Sequence, residues 1–568
     1  MAATKANDSR PRWWWQRLAM LGTGIVLSLC GVGQAALGAA PEEDVDALLR
    51  SVRPEAIRAD MRFLADDLLE GRGTGTRGHL LAAGWVATQF ESMGLEPAGD
   101  HGTYLQDVTL RTSRVDEAHS SFARLGPAGK ESLKFREDYI LYGDPGRDDS
   151  RVKAGIAFVG YGITAPEQGY DDYANVDVRG KIVAMVFGAP AFDAAVKAHY
   201  SASWLKRKNA AAHGAIGILV LYDSRLQKLY PFEKQVRDLA MPRLNWLDAA
   251  GKPNDYFATL QVYGTVSRAG AKRLLAGSGH TPEQIEEAVK TGKLPVFELP
   301  GTAEVHTRTR HQLLHSPNVV GRLEGSDPAL RAEHVVYTAH LDHLGISTPV
   351  KGESIYHGAL DNASGSAEVV EIARAFTRMP VRPRRSILFV AVTGEESGLL
   401  GSDYFALNPT VPSANIVADI NIDEDLMLWP LRDVVAFGAE HSTLSKVVQQ
   451  AAQHLNLDVS PDPMPEQVVF IRSDQYSFVR QGVPSIALAA GVKSSDPGIK
   501  PAEIFENWYA NYYHQPQDDM QQPGLNFEAA ADFARVGLLC GLYVAQQPER
   551  PRWNAGDFFG ITFAGGKR

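Results

Sequence analysis

Two adjacent carboxylates, Glu395 and Glu396, follow an apolar run, Ile387 to Val392, in the stretch FVAVTGEESGLLGSDYF (389–405). Neighbouring acids on a loop are ordinarily solvated surface. These two stand where a strand-like run ends, and groups of the same chemical kind stand at matching places elsewhere. HVVYTA runs into His340, with Asp342 two residues on; ANIVADINI leads to Asp423. YHGALDNASG carries Asp361 just before a helical pattern, and NYYHQPQDD holds Tyr513 and His514. Singly, each has a plain reading: a hydrogen-bonded core histidine, a helix N-cap, a strand end, a loop residue. The set resists that reading, because carboxylates gathered at one edge raise one another's pKa unless a cation sits among them.

Imidazole and carboxylate donors without thiolates suit zinc, manganese or cobalt. One zinc takes about three protein ligands and a water. This set supplies five donors, enough for two ions that share one carboxylate. If one glutamate of the pair holds an ion, its neighbour is placed to take a proton from water activated there.

The segments that must position these groups alternate in pattern. EHVVYTAHLD, GSAEVVEIARAFTRM, RRSILFVAVTG, GLLGSDYFALN and ANIVADINID read strand, helix, strand, helix, strand. That predicts an α/β fold, a mostly parallel mixed sheet flanked by helices, with function collected past the carboxyl ends of the strands. Residues 44–95 read as helices, with apolar residues spaced at three and four. Within them, GRGTGTRG offers Gly73, Gly75 and Gly78 at dinucleotide-loop spacing. A helix rather than a strand precedes it, so we read it as a glycine-rich connection. From 113 to 303 short β-rich runs (AGIAFVGYGI, GKIVAMVFG, AIGILVLYD, LQVYGTVS) alternate with Gly, Pro and Asp turns, broken by one helical segment, which predicts an inserted β-rich module.

The 568-residue chain is too long for one core. Its 44% apolar and 22% charged residues are those of a globular protein. Residues 1–40 follow the order of a secretory signal peptide: a basic start, an apolar run, then small residues before PEED. Leu29 before Cys30 is a poor lipoprotein match, and an uncleaved anchor is the alternative, since the run approaches spanning length. Its removal takes away Lys5, Arg10, Arg12, Arg17 and Asp8, moving the formal charge from −10 to about −13, which argues against a nucleic-acid partner. The one remaining cysteine, Cys540, forms no intrachain disulfide and reads as a buried small hydrophobe. We therefore expect 1–40 as signal peptide, 41–112 and 304–548 as the site-bearing domain, 113–303 as the insertion and 549–568 as a surface tail. The product would be exported, periplasmic or secreted, with no stable membrane insertion after signal cleavage.

In order, AHLDHLG, GALDNASG, TGEESGLLGS, NID and YHQPQD resemble the motifs of the co-catalytic di-zinc aminopeptidases. That family also holds glutamate carboxypeptidase, the transferrin receptor and, more distantly, glutaminyl cyclases. The resemblance covers about 45–112 and 305–547; the interval between looks like the protease-associated domain often inserted there. It implies a zinc exopeptidase-like fold and two zinc ions, one held by His340 and Asp423, the other by Glu396 and His514, with Asp361 bridging. It further implies Glu395 as general base, Asp342 as the residue orienting His340, and Tyr513 as a donor to the developing oxyanion. Leu360 and Glu424 depart from the family pattern, which often has Asp and Met there. His343, His357 and Asp474 read as supporting or structural residues. The implied activity is hydrolysis of peptides at a free N-terminus. A carboxypeptidase or other amidohydrolase of the family, and a receptor-like protein that lost catalysis, are the alternatives.

Overall fold

The computed structural model describes residues 42–126, 129–239 and 241–565. The segment expected as a signal peptide lies outside them. Four strands form the parallel heart of the larger sheet: β1 (His334–His340), β2 (Ser386–Val392), β3 (Ile416–Ile422) and β4 (Ser485–Ala490). They lie in the order β2-β1-β3-β4. The long strand Thr302–Leu323 pairs antiparallel with β2, and Asp433–Phe437 pairs antiparallel with β4.

Along β2, Ile387, Phe389 and Ala391 enter one apolar core while Leu388, Val390 and Val392 enter another. A strand apolar at every position is what a sheet covered on both faces requires. One face carries α1 (Pro54–Leu64), α2 (Ser364–Thr377) and α3 (Phe527–Gln546), and the opposite face carries helices Leu400–Leu407 and Gln475–Val479. Burying a side chain such as Phe389 is worth about 1.5–3 kcal/mol, so these two layers hold the strand ends rigid. Cys540 on α3 is fully buried.

A second sheet forms between residues 139 and 298. Ile156–Val159, Ile182–Val186, Gly217–Leu221 and Val262–Val266 run parallel, with Tyr139–Leu141 and Val296–Glu298 antiparallel at its edges. Several helices accompany it, including Ser203–Ala212 and Phe232–Asp238. The longest spans 10 residues, so their periodicity is brief and hidden among turn residues; the interval is a strand-and-helix layer, not strands alone. The stretch read as a tail lays Phe559, fully buried, among Phe470, Tyr476 and Val479. Its neighbours Phe558 and Phe563 meet His199 of the insertion at 5.3 and 5.5 Å between ring centroids. Among the described residues no helix is long and apolar enough to cross a membrane.

The glycine-rich connection does more than join helices. Gly71, at φ 67°, passes so close to the strand Glu353–Tyr356 that a Cβ would lie 2.3 Å from the Tyr356 carbonyl oxygen. Glycine permits both the conformation and the approach.

Candidate metal centre

β1, β2 and β3 deliver their last residues to one edge, and the loops before α2 and after helix Pro501–Asn511 reach the same place. His340 Nε2 lies 3.2 Å from Asp361 Oδ1 and 3.1 Å from Asp423 Oδ1. His514 Nε2 lies 3.1 Å from Asp361 Oδ2 and 3.2 Å from Glu396 Oε2. The two oxygens of Asp361 thus face two separate corners. The structure brings His340, Asp361, Glu396, Asp423 and His514 together, with Glu395 beside them.

Each position has a local cause. His340 Nδ1 stands 3.0 Å from the Asp342 main-chain oxygen; donation there leaves Nε2 with its lone pair toward Asp361 and Asp423. The Asp342 carboxylate stands 4.0 Å from the same Nδ1, beyond hydrogen-bond distance. It accepts from Thr74 Oγ1 at 2.7 Å and from the Glu395 main-chain N–H at 3.1 Å, and so fixes the start of the Glu395 loop. Asp423 accepts from Ser473 Oγ, which itself accepts from Asn421 Nδ2 at 2.8 Å. Asp518 accepts the main-chain N–H groups of Leu360 and Asp361, at 3.0 and 3.1 Å, clamping the loop that carries the shared carboxylate.

Two residues gain roles that their sequence surroundings did not suggest. His343, read as a supporting residue, is buried with Nδ1 2.7 Å from Glu396 Oε1 and 3.9 Å from Asp361 Oδ2. It joins Asp361 and Glu396 as a second donor group beside the one made by His340, Asp361 and Asp423. Arg72, in the glycine-rich connection, is wholly buried. Its Nε donates to the Leu341 carbonyl at 2.9 Å, and its terminal nitrogens donate to the carbonyls of Leu64, His357 (2.7 Å) and Gly358 (2.9 Å). One guanidinium therefore ties the loop after β1 to the loop before Asp361. Its only warning in the sequence was an arginine amid glycines.

The donors fit divalent ions. Zinc–nitrogen and zinc–oxygen bonds near 2.0–2.2 Å place tetrahedral donors roughly 3.3–3.5 Å apart, close to the 3.1–3.2 Å separations at both corners. Asp361 Oδ2, Glu396 Oε1 and both His343 nitrogens are buried without an aligned hydrogen-bond partner. Buried polar atoms left this way are costly unless another partner satisfies them.

The electrostatics divide the paired glutamates. Burial opposes charge on Glu396, yet His514 and His343 outweigh it and hold the carboxyl at about 2. Burial pushes Glu395 well above the usual range, and the Asp423 and Glu396 carboxylates add to this against the pull of His340. One neighbour is a fixed anion suited to a cation; the other is suited to carry a proton. Burial likewise opposes ionisation of Asp361, but the imidazoles of His340, His343 and His514 hold it well below the usual range. The Tyr513 ring stacks on His514 at 3.9 Å between centroids. Burial, then Glu424 and Asp361, push its phenol well above the ordinary value, so it stays protonated and able to donate.

Residues 318–538, which hold every one of these donors, match the sequence profile of peptidase family M28. The chain is similar to aminopeptidase NAALADL1 of Rattus norvegicus, 26% identical over 216 residues, which are 37% of this chain and 22% of that protein. A Pyrenophora tritici-repentis protein named "Probable zinc metalloprotease" is 36% identical over 269 residues, covering 41% of this chain and 53% of that one. The chain thus spans about a fifth to a half of the length of these relatives. The solved structure of the aminopeptidase from Aneurinibacillus sp. strain AM-1 overlays with a TM-score of 0.51 at 17% identity, covering 90% of this chain and 97% of that one. At that identity the likeness speaks to the fold, a mixed α/β exopeptidase sheet with additional strands.

Proposed function

We propose that the chain is an exported metallo-exopeptidase with two zinc ions, an aminopeptidase that removes N-terminal residues from peptides. The observation that carries this reading is a shared carboxylate, Asp361, between two donor clusters, with Glu395, whose carboxylate has a raised affinity for a proton, at their edge. His340 and Asp423 would hold one ion, Glu396, His514 and His343 the other. Once bound, such ions polarise a scissile carbonyl and acidify water.

The chain's own groups supply the rest. Glu395 takes the proton of the attacking water and returns it to the departing amine. Asp342 holds the Glu395 loop through its main-chain N–H. The Tyr513 hydroxyl donates to the oxygen of the tetrahedral species, a contact that elsewhere contributes on the order of 2.7–4 kcal/mol. Glu424, half-buried beside Asp423 and in no ion pair among the described residues, offers a carboxyl group for the substrate's ammonium group. We read residues 113–303 as a protease-associated-like module lying over this edge, and the N-terminal segment as an export signal.

The test is metal content per chain on the mature protein, followed by zinc-dependent hydrolysis of paired substrates. Peptides with a free N-terminus should be cleaved, and the same peptides N-acetylated should not. Cleavage of the acetylated set with release of the C-terminal residue would replace the aminopeptidase by a carboxypeptidase. Two ions bound with no hydrolysis of either set would leave a binding protein.

A further inference from the structure

Helix Phe232–Asp238 of the insertion is anchored by one face and offers another to the metal centre. Phe232 packs against Ile140 and Tyr222, with Val236 and Leu239 alongside. Those positions, i, i+4 and i+7, form one side of a helical turn pattern. Lys234, two residues after Phe232, is rotated about 200° from it at 100° per residue and leaves that side. Its ammonium lies 5.1 Å from the Tyr230 ring centroid and 5.7 Å from that of Tyr513. Tyr513 in turn stacks on His514. The lysine is half-buried, and among the described residues no carboxylate is within ion-pair distance of it.

A cation held this way has two uses. One is to neutralise the carboxylates of the centre, whose Glu396 and Asp361 do act on its charge, along with the nearer Asp238. Two divalent ions, however, would already offset the carboxylates Asp361, Glu396 and Asp423, and the centre has its own imidazoles. The other use is to meet an anion that arrives with the substrate, for which two aromatic faces hold the ammonium without satisfying its hydrogen-bonding capacity.

We propose that Lys234 reaches from the inserted module to receive a carboxylate of the substrate next to the scissile bond, making acidic peptides the favoured class. This rests on the metallo-exopeptidase reading of the same site. The carboxylate has two sources, an acidic side chain or the free C-terminus of a dipeptide. Lys234 is a specificity residue, and the insertion, not the M28 stretch, supplies it.

The test compares kcat and KM on the zinc-loaded enzyme for matched pairs: N-terminal Glu against Gln, second-residue Glu against Gln as amides, and a free against an amidated dipeptide. The expected result is a preference of roughly tenfold or more for the carboxylate member of at least one pair, carried in KM, as a charge-assisted contact gives. K234M should bring that ratio toward one and K234R should restore part of it; the responding pair names the source. Equal rates within every pair, or K234M slowing both members alike, would overturn the proposal. Calorimetric binding of free glutamate against glutamine separates the two readings. If no peptide is cleaved, the peptidase reading falls, while glutamate binding abolished by K234M still upholds the carboxylate site and its absence overturns it.

Discussion

Two parallel-strand sheets lie in this molecule, and they finish their strands in opposite ways. Where β1, β2 and β3 end, buried imidazole and carboxylate atoms are left without aligned partners. Where the strands of the second sheet end, the protein fills its own edge. Lys206 reaches in to donate to the carbonyls of Val186 (3.3 Å) and Gly188. Asp172 accepts the N–H groups of Tyr161 and Ile163, both at 3.0 Å, and the Tyr170 hydroxyl at 2.7 Å. Asp223 accepts from Arg225 and caps the helix that follows. The same architecture yields one edge open to a ligand and one closed upon itself, so function here follows the side chains at the strand ends rather than the sheet.

Four changes should sharpen or break that contrast. Glu395→Gln should bind both ions and lose turnover by about 10²–10⁴-fold, since it removes the proton carrier and no donor; metal analysis beside steady-state rates reads it. A near-normal rate would take Glu395 out of the chemistry. His343→Ala should weaken retention of one ion by roughly tenfold or more while the other is held, as seen in a chelator titration of the loaded protein. Loss of both ions together would mean that the two corners are not separable. Arg72→Met leaves four carbonyls without their donor and should destabilise the protein by about 3 kcal/mol or more in denaturant unfolding. Its surviving folded fraction should show a lower kcat, because the loops bearing His340 and Asp361 lose their tie.

The smallest effect is expected at the closed edge. Burial brings Lys206 down to about 7 from an ordinary 10.5. Between those values the unfolded chain carries a proton that the folded chain lacks, so the lysine's contribution to stability rises with pH from about 7 to 10.5 and is lost as pH falls back to 7. The gap in unfolding temperature between wild type and Lys206→Met should therefore change across that window and be flat below it. A gap that does not vary with pH would show that burial does not lower the proton affinity of the Lys206 amine.

How much of this was readable beforehand differs by residue. His340, Glu395, Glu396 and Asp423 each follow an apolar run that can only be a buried strand, and strands in alternation with helices bring such ends to one edge. Asp361 precedes a helix and was readable for the same reason. His343 was not, because the turn after β1 decides which way a side chain three residues past the strand is aimed. Arg72, Asp518 and Lys234 act across gaps of 269, 157 and 279 residues to Leu341, Asp361 and Tyr513. No local periodicity records a partner so far away.

What the sequence determined by itself was the strand-helix alternation, the chemical kinds of donor and the strand ends that carry them, because burial patterns and residue chemistry are local properties. What only the tertiary structure decided was which oxygen of Asp361 faces which corner, that His343 stands among the donors, and that a buried arginine and an inserted lysine serve the same edge. Those are matters of distance between remote segments, and distance is set when two covered sheet faces and an inserted layer pack together.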